Sequence, residues 1–282
     1  MIKKLFHFML DLRDRQQMAI AVGKGAAMMQ GRRIDMTRPA TWEFSAFSQN
    51  GEDGVLDVLR KELTDSNRYF VEIGSADGMQ NNSSWLVVAE QYAGLMVEGN
   101  SKLVDRAKRL IPHYSVGAEC VNMFVNSNSI KALKDLALHS DPDVFSLDID
   151  GIDYYVAEAV FDAGFRPKIF VVEYNSAFGP ERSITIPYKE NFSFGQEHPT
   201  RLYYGVSISA WRKFFDKQGY RFVTVDSKGV NAFFVNPNSF DASFLNAVAG
   251  SSFAENLYQL RKFRGAFSEQ FKLIADQRFV DV

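Results

Sequence analysis

The chain is poor in several things. It has a single cysteine, Cys120, among 282 residues, which excludes an intramolecular disulfide and fits a reducing compartment. Nothing near Cys120 in sequence would lower its pKa, so it reads as a small buried apolar residue rather than a nucleophile. Charge of one sign is not in excess. A formal net charge of −2 gives no global pull toward phosphate backbones or anionic lipid, so nucleic acid is not an expected partner. No apolar run is long enough for a membrane span. The opening Met1-Ile2-Lys3-Lys4-Leu5-Phe6-His7-Phe8-Met9-Leu10 is cut by Asp11, Arg13, Asp14 and Arg15 too early for an export signal, and a cytoplasmic protein is expected. Repeats and low-complexity tracts are lacking too. With 46% hydrophobic and 23% charged residues, the composition is that of a globular chain able to bury a sizeable core.

What is present, from Tyr69 onward, is an alternation of strand and helix patterns. Strands are expected at 69–73, 94–98, 114–121, 144–148 and 168–173, with helices at 83–92, 101–110, 128–138 and 152–163 between and after them. Such alternation predicts a parallel, doubly wound sheet. Pro142 and Pro167 stand just before the fourth and fifth strands, where they break no ladder. After a helix near 208–218, the runs 220–225 and 230–235 flank Asp226-Ser227-Lys228-Gly229, which is a hairpin signal. The expected fold is therefore α/β, a mostly parallel seven-stranded sheet closed by a terminal antiparallel hairpin. This differs from two repeated dinucleotide-binding halves and favours the class I methyltransferase architecture. Residues 45–236 form the expected central domain, 1–44 an N-terminal helical appendage and 237–282 a mainly helical tail carrying no assignable chemistry. In the first appendage Leu5, Phe8, Met9 and Leu12 recur at helical spacing, while Gly23, Gly25 and Gly31 weaken any continuous helix. The appendages offer surfaces for a homo-oligomer, and the first could cover the ligand site.

Ligands bind beyond the carboxyl ends of the strands in such sheets. Four of those ends carry acids: Glu72 with Asp77, Glu98, Asp148 with Asp150, and Glu173. The turn Gly74-Ser75-Ala76-Asp77-Gly78 follows the first strand, and its glycines permit positive φ and close approach of a ligand to the backbone. Glu98, twenty positions beyond Gly78, is spaced to accept hydrogen bonds from ribose hydroxyls; the alternative is a neighbour of a helix cap, since Asn100 and Ser101 open the next helix. No basic cluster for a pyrophosphate follows the first strand, so an adenosyl nucleoside suits this turn better than a dinucleotide.

Four stretches carry a more specific resemblance: Ser48-Gln49-Asn50-Gly51-Glu52-Asp53, Phe70-Val71-Glu72-Ile73-Gly74-Ser75-Ala76-Asp77-Gly78, Val97-Glu98-Gly99-Asn100 and Ser146-Leu147-Asp148-Ile149-Asp150-Gly151. In this order they resemble the successive motifs of FkbM-type S-adenosylmethionine-dependent methyltransferases. The resemblance implies that the turn at Gly74 holds the methionine part of S-adenosylmethionine and that Glu98 holds its ribose. Gly99 stands where such enzymes often carry proline. The expected cofactor set is Glu72, Gly74, Ser75, Asp77 and Gly78 around the first turn, Glu98, Gly99 and Asn100 after the second strand, and Asp148. Methyl transfer to a hydroxyl of a sugar, polyketide or other small-molecule or glycan acceptor is implied.

Asp148, Asp150, Glu173 and Asn175 supply oxygens from adjacent strand ends, a set suited to a hard divalent cation such as magnesium (Mg2+). They resemble the ligands of metal-dependent catechol-type O-methyltransferases, with Glu173 in place of an aspartate and Tyr174 inserted before Asn175. Asp148 or Glu173 could instead act directly as a general base, or the acids could be a helix cap and a satisfied buried group. The long connection 176–206 reads as a lid. In it His198 could take the acceptor proton or be structural, and Tyr188, Phe192, Phe194, Tyr203 and Tyr204 could wall a sugar or planar acceptor or pack the lid on the sheet. A nicotinamide-dependent oxidoreductase and a non-catalytic, methyltransferase-like scaffold are the alternatives.

Overall fold

A computed structural model describes residues 2–282. The chain runs through α1 (Ile2–Gly31), α2 (Glu52–Lys61), β1 (Tyr69–Ile73), α3 (Ser84–Val88), β2 (Ala93–Glu98), α4 (Ser101–Leu110), β3 (Ala118–Asn122), α5 (Ile130–Leu136), β4 (Val144–Leu147), α6 (Asp153–Asp162) and β5 (Ile169–Glu173). It continues through β6 (Ile184–Thr185), α7 (Phe194–Glu197), α8 (Ile208–Lys217), β7 (Arg221–Val225), β8 (Asn231–Val235), α9 (Ala242–Ala247), α10 (Leu257–Phe263), α11 (Phe267–Lys272) and β9 (Val280–Asp281). The main sheet has the order β3-β2-β1-β4-β5-β8-β7. It is parallel through β5, and β8 runs antiparallel to both β5 and β7. This is the doubly wound, mostly parallel seven-stranded fold with a terminal hairpin that the sequence pattern predicts. Among the described residues no helix is long and apolar enough to cross a membrane.

The central strands are apolar on both faces because both faces are covered. Tyr69, Val71 and Ile73 of β1 pack toward α5, α6 and α8, while Phe70 packs toward α2, α3 and α4. Aromatic contacts tie the first layer together: Phe215 of α8 stacks on Phe234 of β8 with ring centroids 4.1 Å apart, and Phe161 of α6 stacks on Phe170 of β5 at 5.8 Å. Two element boundaries differ from expectation. The strand expected at 114–121 begins only at Ala118, because Ile111–His113 prolongs α4 as a 3₁₀ turn. The helix expected at 83–92 is five residues long, and the chain then reverses through Gln91 at φ +54.

The N-terminal glycines do not interrupt α1, which is continuous over 30 residues. Each internal glycine costs a helix about 1 kcal/mol relative to alanine, and tertiary docking offsets that cost. Asp14, Met18, Ala21 and Gly25 form the buried stripe, with Met18 and Ala21 joining Phe44, Phe47 and Trp85. Gly25 is a contact requirement: a Cβ there would lie 2.6 Å from Ala46 Cβ and 2.6 Å from Trp85 Cζ3. Met9 and Leu12 are about half exposed, and the side chains of Leu5 and Phe8 lie outside the described residues. The tail is helical as expected but also supplies β9, which pairs antiparallel with β6 and so closes onto the 176–206 connection.

Substitution at the two glycines should therefore have opposite signs. Gly23 has nothing within 4 Å of a built Cβ, so Gly23→Ala should stabilise by up to about 1 kcal/mol. Gly25→Ala should destabilise by about 1–3 kcal/mol through overpacking. Denaturant unfolding of the two variants checks the pair, and equal effects would contradict the docking of α1.

Candidate functional site

The carboxyl ends of β1, β2, β4 and β5 converge on one edge of the sheet, and two cavities open there. The larger, about 600 Å³, is bordered by Gly74, Ala76, Glu98, Gly99, Asn100 and Asp148. Apolar side chains complete it, among them Val97, Leu103, Met123, Phe124 and Ile152. The smaller, about 460 Å³, is floored by Glu72, Asp148, Asp150 and Glu173. Gly74, Asp148 and Asp150 border both.

Local backbone geometry explains the junction. Gly74 has φ +89, and a Cβ on it would lie 1.7 Å from the Asp148 carbonyl oxygen. Only glycine lets the ends of β1 and β4 approach this closely. The Gly74 and Ser75 N–H groups both donate to the Val97 carbonyl, at 2.9 and 3.1 Å, which draws the turn against β2. Ala76 at φ +49 and Asp150 at φ +52 are non-glycine residues in the left-handed region, a strain that clusters at ligand sites.

Glu98 accepts from the Ala76 N–H at 3.1 Å through Oε2 and from the Asn100 N–H at 2.7 Å through Oε1. Each oxygen keeps a second lone pair for a ligand hydroxyl. The helix cap is Asn100, whose side chain accepts from the Lys102 N–H at 3.1 Å, so the carboxylate is left to the cavity.

The other residues of the first turn are engaged elsewhere. Glu72 is 3% exposed and accepts from the Asn82 N–H at 2.8 Å, the Ser83 N–H at 3.1 Å and the Ser83 hydroxyl. It anchors the loop that leads into α3. Ser75 is buried, and its carbonyl accepts from Asn81 Nδ2 at 3.0 Å. Asp77 pairs with Arg106, which also reaches Asp14 of α1 at 2.8 Å. Gly78 backs onto Ile111. Ser75, Asp77 and Gly78 line neither cavity, because the turn faces the larger cavity only at Gly74 and Ala76.

Asp148, Asp150 and Glu173 each offer an oxygen within 4.8 Å of the others. Burial pushes the Asp148 and Glu173 carboxyls well above the usual range, and repulsion among the acids adds to it. Burial raises Asp150 as well. Tyr204 donates its hydroxyl to Glu173 Oε1 at 3.2 Å, and burial beside this carboxylate drives the phenol pKa up. Asn175 does not join the group. Its Nδ2 donates to the Leu202 and Tyr204 carbonyls at 2.7 and 3.0 Å, and its Oδ1 accepts from the Ala177 N–H at 3.1 Å, so the amide is spent holding the lid. His198 bonds Thr200 Oγ1 at 2.7 Å and lines neither cavity.

The lid aromatics do not form one wall. Phe192 lines the larger cavity, Tyr204 meets Glu173, and Tyr188 packs edge-on against Tyr155. The sequence reading gave no role to Phe124 at the larger cavity or to the tail, whose Asn256, Tyr258 and Arg261 line the smaller one, and it placed Tyr204 among the lid aromatics without its bond to the acids. Aromatic content at 203–204 was a usable signal; nothing local marks the tail.

No family model matches the chain, and no curated protein matches it. Among solved structures it is similar to an O-methyltransferase from Bacillus cereus in complex with SAH, at 14% identity and a TM-score of 0.43, covering 78% of this chain and 89% of that one. It is also similar to the SAH-bound Podospora anserina methyltransferase PaMTH1, at 12% identity and a TM-score of 0.44, covering 77% and 87%. A third is the O-methyltransferase TomG from Streptomyces achromogenes, involved in tomaymycin synthesis and in complex with SAM, at 14% identity and 0.40, covering 67% and 80%. The observed strand order, not these likenesses, carries the fold assignment.

The buried acids give a pH signature. Burial raises Asp53 and Glu72 to about 7 and Asp226 to about 8, and it raises Asp148 and Glu173 well above the usual carboxylate range. Each folded value exceeds the unfolded one, so the stability these groups contribute is complete at low pH and lost as pH rises through the folded values. In the presence of chelator, Tm should fall from about pH 4, near the unfolded carboxylate values, to about pH 8, and Asp148→Asn should flatten that fall by removing one repelling charge. Thermal melts across the window check this; a Tm rising with pH would contradict it.

Proposed function

We propose that the chain is an S-adenosylmethionine-dependent O-methyltransferase acting on a hydroxyl of a sugar, polyketide or other small-molecule or glycan acceptor, with residues 45–236 as its cofactor-binding unit. The observation that carries this reading is the meeting of two cavities at Gly74, Asp148 and Asp150. One has the lining of a nucleoside site, the other is floored by acids.

The residues of the larger cavity fit such a cofactor. Glu98 has lone pairs left for two ribose hydroxyls, Leu103, Met123 and Phe124 present apolar surface for a purine, and Gly74 bares the backbone for the methionine end. S-adenosylmethionine supplies a methyl carbon held on positively charged sulfur. Asp148 and Asp150, at the junction, favour that positive charge and bring the acceptor oxygen in from the smaller cavity. The acceptor oxygen bonds to the methyl carbon as the carbon–sulfur bond breaks and its electron pair stays on sulfur. The acceptor proton passes to Asp148 or Glu173, whose raised pKa values suit a general base.

Asp148, Asp150 and Glu173 also fit a hard cation: three carboxylate oxygens, close together, with no backbone N–H donating to their side chains among the described residues. Magnesium held there would lower the pKa of the acceptor hydroxyl. Asn175 is not counted among the ligands, since it lines neither cavity and its amide holds the lid.

Isothermal calorimetry should detect binding of S-adenosylmethionine and S-adenosylhomocysteine, and no binding of either would overturn the reading. Glu98→Ala should weaken both by about 10- to 100-fold, the worth of hydrogen bonds to a charged group; unchanged affinity would remove the ribose assignment. Magnesium should raise Tm of the parent protein and not of Asp150→Asn. If neither responds, the carboxylate-base form of the mechanism stands alone.

A further inference from the structure

The outer wall of the smaller cavity comes from three stretches far apart in sequence: the motif at 48–50, Lys228 in the β7–β8 turn, and the start of α10. Beside the acids its polar lining includes the amides of Gln49, Asn50, Asn82 and Asn256, whose own hydrogen bonds leave Gln49 Oε1, Asn50 Oδ1, Asn82 Oδ1 and Asn256 Nδ2 without a partner among the described residues. Amides offer donors and acceptors together, which suits a compound bearing several hydroxyls, and the exposed ring of Tyr258 stands at the rim as a flat face.

One amide is left incomplete. Asn231 is 3% exposed and its Nδ2 donates to Glu52 Oε1 at 2.7 Å. That bond fixes the orientation of the amide, and Oδ1 has no partner. A buried acceptor without a donor is costly, and the residue that carries it also lines the cavity.

Two cations stand at the same rim. Lys228 and Arg261 are both exposed, and neither forms an ion pair among the described residues. Unpaired cations above an acidic floor impose an orientation, since an anionic group is attracted to the rim and repelled from the floor.

We infer that the acceptor is a polyhydroxylated compound carrying an anionic group, phosphate or carboxylate, which Lys228 and Arg261 hold at the rim while one hydroxyl reaches Asp148 and Glu173. This rests on the methyltransferase reading and narrows its substrate.

The test uses full-length protein saturated with S-adenosylhomocysteine and three probes: glucose 1-phosphate, glucuronic acid and uncharged glucose, titrated by calorimetry. At least one anionic probe should bind about tenfold tighter than glucose or better, the worth of a charge-assisted hydrogen bond. Comparing the two anions distinguishes phosphate from carboxylate. In the Lys228→Ala/Arg261→Ala double variant the anionic probes should fall to the level of glucose, with affinity for S-adenosylhomocysteine unchanged. Both residues are exposed, and such surface changes leave folding nearly untouched. Anionic probes that bind no better than glucose, or not at all, overturn the inference, as does a preference that survives the double variant. If S-adenosylhomocysteine binds and the anion preference is lacking, only the acceptor assignment fails; if S-adenosylhomocysteine does not bind, the methyltransferase reading fails and the acceptor assignment with it.

Discussion

The structure depends on how closely the ends of β1 and β4 approach. The Asp148 carbonyl occupies the space where a side chain on residue 74 would begin, with a built Cβ only 1.7 Å away. The Asp148 N–H in turn donates to the Ile73 carbonyl at 3.1 Å. This contact does more than complete a ladder. It sets Asp148 beside the turn that ends β1, and Gly74, Asp148 and Asp150 border both cavities. Any side chain at 74 would push the strands apart and separate the pocket beside Glu98 from the acids beyond it. A glycine-rich turn after a first strand is usually explained by the ligand that needs room; here the chain itself needs the room first.

A second constraint is electrostatic. The edge of the sheet and its approaches bury acids in number, and burial disfavours their charged forms. What separates them is how they are completed. Asp53 Oδ2 accepts three backbone N–H groups, from Ala46, Phe47 and Ser48. Asp226 accepts from the N–H groups of Lys228, Val230 and Asn231, and Asp153 from those of Ile149 and Gly151. Glu72 is held by Asn82 and Ser83. These acids organise loops, and their hydrogen bonds lower the cost of burying them. Asp148, Asp150 and Glu173 accept from no backbone N–H among the described residues and face a cavity; Glu173 accepts from the Tyr204 hydroxyl, and Asp148 and Glu173 hydrogen-bond to each other. A buried, incomplete carboxylate group is expensive to maintain, and a cation or a reacting proton is what would complete it.

This distinction also explains what could be read from the sequence. The strands and the hairpin were legible because strands buried on both faces become uninterrupted apolar runs, and because Asp226–Gly229 has turn chemistry. Glu98, Asp148 and Glu173 were legible as acids at strand ends. Whether such an acid faces a ligand or a backbone N–H depends on loop geometry that no local pattern encodes, so Glu72 and Asp77 looked like Glu98 and differ from it. Asn175 looked like an oxygen ligand and is a clamp on Leu202 and Tyr204. The glycines of α1 read as helix breakers because propensity is local, whereas Gly25 is required by a contact with Trp85, sixty positions away.

The tail is the clearest case of placement that sequence hides. Nothing in 237–282 looks chemical, yet the N-terminal turn of α10 borders the acidic cavity, and β9 returns to pair with β6 at the base of the lid. Tyr174, next to Glu173, donates its hydroxyl to the Ala254 carbonyl at 2.6 Å, and the Ala254 N–H donates back to it at 3.2 Å. Ser176 Oγ accepts from the Asn256 N–H at 2.9 Å. The segment just past β5, which carries the acid, is thereby bolted to the segment just before α10, which carries Tyr258 and Arg261. Sheet and tail therefore divide the work physically. The strand ends hold Gly74, Glu98, Asp148 and Glu173, while the outer wall of the smaller cavity is built from loops and a short helix fastened by hydrogen bonds such as these. Changes in α10 can therefore alter the rim of the smaller cavity without disturbing the contact between Gly74 and Asp148.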